Sequence, residues 1–140
     1  MTRLLVSFGV LLLLLGCDKQ PAELAIADTI EKIEQGLEAK SSRAVSSHLS
    51  ESFTIDQRIN KKGARGMLAG YFQRYKTIEL VLTNIEVTVN KNDPLRASSS
   101  ATAALLGANN LFPERAQVYQ LKAQWQLQGS DWLLVELSWQ

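Results

Sequence analysis

Cysteine and histidine each occur once in these 140 residues, as Cys17 and His48. One thiol cannot form a disulfide within a chain, and one histidine cannot build the Cys/His cluster that structural zinc needs. Only three prolines are present, and no Pro-rich or Gly-Ser linker divides the chain. Excess charge is also lacking: 15 basic and 14 acidic side chains nearly cancel. That balance argues against a nucleic-acid partner recruited by bulk charge. No apolar run reaches the roughly 20 residues that cross a bilayer as a helix. No cofactor motif or internal repeat is found, so neither a cofactor nor a metal is expected.

What is present begins at the N-terminus. Arg3 precedes an almost wholly apolar run from Leu4 to Leu15, closed by Gly16 and Cys17. A charged start, a short apolar core and a small-residue exit describe a secretory signal, which is set aside in reasoning about the fold. Leu14-Leu15-Gly16-Cys17 resembles the bacterial lipobox, cut before the cysteine. The resemblance implies a diacylglycerol thioether on Cys17 and an acyl chain on its new amino group. One chain holds a protein only marginally, whereas two or three anchor it. Asp18 resembles the inner-membrane retention signal of enterobacterial lipoproteins. The expected location is the periplasmic face of the inner membrane, with the outer membrane as the alternative.

Residues 1–16 are thus read as the signal, 17–21 as a lipidated start and short spacer, and 22–140 as one domain. Arg3 leaves with the signal, so the remaining basic and acidic side chains are equal in number. The domain is long enough for one modest core. Its first helix would begin within roughly 15 Å of the anchor, because an extended residue spans at most about 3.6 Å.

Pro21 suits the start of a helix, where its missing N–H has no intrahelical acceptor. Ile26, Ile30, Ile33 and Leu37 form one apolar stripe, predicting a helix over 22–39, with Glu34 and its acidic neighbours mostly off it. Ser41 and Ser42 can cap a shorter helix running through Leu49. Phe53-Thr54-Ile55 reads as a short strand. Ala64, Met67, Leu68, Tyr71, Phe72 and Tyr75 then repeat at helical spacing. From Thr77 the period becomes two, and its phase slips near Thr83-Asn84, predicting a bulge. Arg96–Leu106 is a strand of small residues, and Gly107–Glu114 a loop. Tyr119–Gln128 alternates cleanly, and after Gly129-Ser130-Asp131 a last strand is expected to turn Leu133, Val135, Leu137 and Trp139 inward.

Helices followed by a meander of strands predict an α+β domain: a curved antiparallel sheet of three to five strands on about three N-terminal helices. The segment from Leu49 to Phe53, the helix from Gly63 to Tyr75, and the closing hairpin around Gly129-Ser130-Asp131-Trp132 resemble the nuclear-transport-factor-2-like (SnoaL-like) superfamily. The resemblance spans nearly all of residues 22–140. It implies a cone-shaped half-barrel with a pocket between sheet and helices, in a superfamily that contains isomerases, dehydratases, cyclases and non-catalytic modules.

Isomerase-like members carry an acid near the end of the first short strand, where Asp56 lies. Dehydratase-like members use histidine, for which His48 is the sole candidate. A lone helical histidine is more often packed or exposed than catalytic. Tyr71, Tyr75, Trp125 and Trp139 fall on predicted inward faces and are candidate pocket residues, although aromatics so placed are usually core. Lys61, Lys62 and Arg65 belong to a stretch from Gln57 to Ile78 without an acid, suited to an anion or lipid head group or simply to water.

These readings favour a membrane-anchored, non-catalytic binding or interaction module of the cell envelope. A small-molecule binding domain and a pocket enzyme are the alternatives. Expected partners are the membrane through Cys17, an envelope protein, and a second copy of the chain through the sheet, where the glutamine row of Tyr119–Gln128 is suited either to that contact or simply to water.

Overall fold

The computed structural model describes residues 19–109, 112–113 and 117–140. Cys17 and Asp18 lie outside them. Among the described residues no helix is long and apolar enough to cross a membrane.

Helix α1, Ala22–Glu38, starts directly after Pro21. Its stripe turns Ile26 wholly into the core, with Ile30 and Ile33 packed beside it. Helix α2 is a single turn, Ser42–Ser46, capped by the Ser41 hydroxyl, which accepts from the Ala44 N–H at 3.1 Å. It ends sooner than its sequence suggested. Leu49, expected as its last residue, instead opens strand β1, Leu49–Ile55. The switch is physical: Leu49, Phe53 and Ile55 all reach the core when extended.

A tight turn with Asp56 and Gln57 at positive φ leads to β2, Ile59–Asn60. Asn60 also caps helix α3, Lys61–Arg74, its side-chain oxygen accepting from the Gly63 N–H at 2.9 Å. Strand β3, Thr77–Val89, pairs antiparallel with β4, Arg96–Asn109, and their register shifts between Thr83 and Glu86. The bulge read from the sequence phase is therefore present, with Asn84 at φ 52°. Part of the expected loop after Gly107 is strand: β4 continues to Asn109, and β5, Phe112–Pro113, pairs back on it.

Strand β6, Gln117–Gln128, and β7, Asp131–Trp139, complete an open, curved sheet in the order β2-β1-β7-β6-β4-β3. Among the described residues five strands are long and two are two-residue pieces. One pair departs from the expected antiparallel pattern: β1 runs parallel to β7. The inward residues of β7 also differ from expectation. Trp125 faces Leu134 and Gln124 faces Glu136, so Val135 is an extra residue at a bulge. Trp132 and Leu134 are buried before it, in place of Leu133 and Val135, and Leu137 and Trp139 turn inward after it as expected. A bulge reverses the facing of every residue beyond it.

Candidate functional site

The helices cover the concave face of the sheet without filling it. The inward positions of β4 are mostly small, Ala97, Ser99, Ala101, Ala103 and Gly107, with Leu105 the one large residue among them. Small side chains beneath α1 and α3 leave space, which forms two apolar chambers. The larger holds about 360 Å³ and the smaller about 130 Å³. Six described residues line both, Ile33, Leu37, Leu80, Leu121, Leu134 and Leu137, so the chambers adjoin.

Tyr71 and Trp139 line the larger chamber, together with Tyr119 and Gln117. The Tyr119 ring meets the Trp139 edge at 6.4 Å between centroids, and the Tyr119 hydroxyl donates to Gln117 Oε1. Trp125 lines the smaller chamber, where its indole N–H donates to Ser99 Oγ at 2.8 Å. Tyr75 lines neither chamber. It packs against Tyr71 with the rings tilted at 45° and their centroids 4.6 Å apart, lies against Gly107, and carries the Arg74 guanidinium over its ring at 5.4 Å. Alternation in the sequence identified the buried face of each element, but not which part of that face borders the space.

The proposed acid and base stand apart from the chambers. Asp56 sits in the β1–β2 turn, where its N–H donates to the Leu137 carbonyl at 2.9 Å. It lines neither chamber. His48 lies between α2 and β1, with its carbonyl accepting from the Leu134 N–H at 3.0 Å. Burial lowers its pKa, Lys32 lowers it further, and Asp131 opposes both. The imidazole also lines neither chamber.

One ionisable group that the sequence reading set aside does reach the space. Glu34 lines the smaller chamber beside Ile30 and Leu37 of α1. Burial raises its pKa, and the neighbouring Glu38 and Glu31 raise it further. The signal in the sequence was its position one turn from Ile30 and next to Ile33, inside the stripe rather than off it. Among the described residues lining the larger chamber there is no carboxylate, histidine, lysine or arginine. No cluster of His, Cys, Asp or Glu among the described residues could hold a metal.

The basic residues gather at a different place. An open groove of about 930 Å³ between α2 and α3 is lined by Lys61, Lys62 and Arg65, joined by Arg43, which the sequence did not single out. Lys61 is already engaged: its ammonium donates to the Leu49 carbonyl at 3.0 Å and to Glu51 at 2.6 Å.

No protein-family model and no curated protein matches the sequence. Solved structures do. A nuclear-transport-factor-2-like protein of unknown function from Pseudomonas putida superposes with a TM-score of 0.72 at 11% identity, over 84% of each chain. The fold is nuclear-transport-factor-2-like. A candidate scytalone dehydratase from Novosphingobium aromaticivorans gives 0.71 at 10% identity, over 84% of this chain and 81% of that one. The Bd1075 protein of Bdellovibrio bacteriovorus gives 0.71 at 10% identity over 82% of this chain, which spans only 40% of that longer protein. Identities this low carry the nuclear-transport-factor-2-like fold and no particular chemistry.

Proposed function

We propose that this protein is a lipid-anchored domain of the cell envelope that binds a small, largely apolar molecule between its sheet and helices. The observation that carries the proposal is the larger chamber. At about 360 Å³ it has the size and apolar lining typical of small-ligand sites, with a few polar groups at Tyr71, Gln117, Tyr119 and Trp139. Asp56 and His48 border neither chamber, and the one ionisable side chain among the described lining residues of the two is Glu34 of the smaller. The fold also serves enzymes, so a catalytic role is the second reading.

The anchor rests on the sequence of residues 3–18, with Cys17 lipidated and Asp18 holding the protein at the periplasmic face of the inner membrane. The start of α1 at Ala22 would keep the domain within reach of the bilayer. The groove holding Lys62, Arg65 and Arg43 adjoins α2, at the other end of α1. That helix is about 25 Å long at 1.5 Å per residue. Head-group contact by the groove would therefore require α1 to lie along the membrane surface.

Ligand binding is tested with an apolar environment-sensitive dye such as Nile red. The proposal expects saturable fluorescence enhancement that Ala103→Leu abolishes, because Ala103 lines the larger chamber. Enhancement that is absent, or that survives the leucine in a folded variant, contradicts it. The anchor is tested separately by labelling cells with radioactive palmitate. Label should enter the wild type and be lost in Cys17→Ser.

A further inference from the structure

The two chambers differ in one chemical respect. The described lining of the larger presents neutral polar groups only, whereas the smaller brings a carboxylate to its wall. Glu34 is the one charged side chain among the described lining residues of either chamber. Its carboxylate makes no hydrogen bond or ion pair with a described residue, although two oxygens offer several acceptor sites. Around it the chamber wall is apolar: Ile30, Ile33, Leu37, Leu80 and Leu82. A carboxylate without a partner, bordered by hydrocarbon, has poorer solvation than one in open water, and the raised pKa of Glu34 agrees with that. Glu31 and Glu38 lie one turn away on the same helix and deepen the negative potential at this point. No described cation lines either chamber to relieve it.

We propose that the adjoining chambers form one elongated site for an amphiphile with a basic nitrogen at one end, its apolar body in the larger chamber and its nitrogen at Glu34. The inference rests on the ligand-binding reading above and adds the chemical class of the ligand. An ammonium supplies N–H donors to an acceptor-only carboxylate and neutralises its charge. An alcohol supplies one weaker donor. A carboxylate ligand meets a like charge. Ser99 reinforces the polar end: its oxygen accepts from the Trp125 indole and keeps a second lone pair that can accept from an ammonium.

Three probes of equal chain length separate these cases: decylamine, decanol and decanoate, titrated by calorimetry at about pH 8, where the free amine and the free carboxylic acid are both charged. The expected order in wild-type protein is amine, then alcohol, then carboxylate. A hydrogen bond to a charged group contributes about 1.5–3 kcal/mol, so amine should exceed alcohol by roughly tenfold or more. Glu34→Gln keeps the size of the side chain and removes its charge. It should erase the preference for amine while leaving decanol binding within about twofold. Equal binding of amine and alcohol by the wild type overturns the inference, as does an amine preference that survives in Glu34→Gln. In both of those cases alcohol binding leaves the apolar-site reading standing. If none of the three probes binds, that reading fails and the inference falls with it.

Discussion

The ring of Tyr75 lies directly on the backbone of Gly107: a Cβ built on that glycine would stand 2.6 Å from Cδ1 of the tyrosine. Gly107 pairs with Ile78 at the start of β3, and Tyr75 follows the last residue of α3. The contact thus sets how closely α3 approaches the sheet. Lys40, just beyond α1, holds the same point by donating from Nζ to the Tyr75 carbonyl at 2.8 Å. Gly107→Ala should destabilise the domain by about 1–3 kcal/mol, the usual effect of overpacking. Urea denaturation measures it, and the loss should shrink when Tyr75→Ala is combined with it, as expected for residues in contact.

Helix α3 carries Gly63, Gly66 and Gly70, so its stability depends on its cap and on packing. A Cβ at Gly66 or at Gly70 would meet nothing within 4 Å. Gly66→Ala and Gly70→Ala should each stabilise the domain by up to about 1 kcal/mol. Asn60→Ala removes the acceptor for the Gly63 N–H and should cost about 1 kcal/mol. Opposite signs in the melting temperature check these two expectations.

His48 gives stability a pH dependence of known sign. Its folded pKa lies below the ordinary 6.5, chiefly through burial. Between the folded pKa and about 6.5 the unfolded chain therefore binds more protons. The contribution is complete above about pH 6.5 and is lost as pH falls through the folded value. Urea midpoints collected from pH 8 to about pH 5 should decline across this window in the wild type and less steeply in His48→Gln.

Filling the larger chamber should separate stability from binding. Ala103 is 3% exposed and borders that space. Leucine there should enter a void rather than displace neighbours, so Ala103→Leu should alter stability by less than about 1.5 kcal/mol, as tolerated core changes do. Thermal melting of wild type and variant, each with and without decanol, should show ligand stabilisation in the wild type alone.

Much of the fold was legible from spacing. The stripe of α1 and the phase slip in β3 each have one dominant period, and the structure follows both. The misreadings occur where period is ambiguous. In β7 the run Trp132-Leu133-Leu134-Val135 is apolar at both parities, so its sequence could not reveal the bulge at Val135. At Leu49 a helical stripe and the first inward residue of a strand predict the same residue type. The site was less legible still. A cavity depends on small residues such as Ala101 and Ala103 meeting incompletely filled faces of two helices, and only the assembled layers bring those together. Glu34 went unrecognised because a stripe is judged by its apolar members, although its place between Ile33 and Leu37 put it at the chamber wall.

Three tryptophans offer an internal control for the central claim, that the chambers receive an apolar ligand. Trp139 lines the larger chamber, Trp125 the smaller, and Trp132 is buried in the core while lining neither. Each gives one indole N–H signal in a proton–nitrogen correlation spectrum. Titration with decanol should move the Trp139 and Trp125 signals along a shared saturable curve and leave Trp132 in place. Signals that stay fixed throughout, or that all drift together without saturation, would contradict the account.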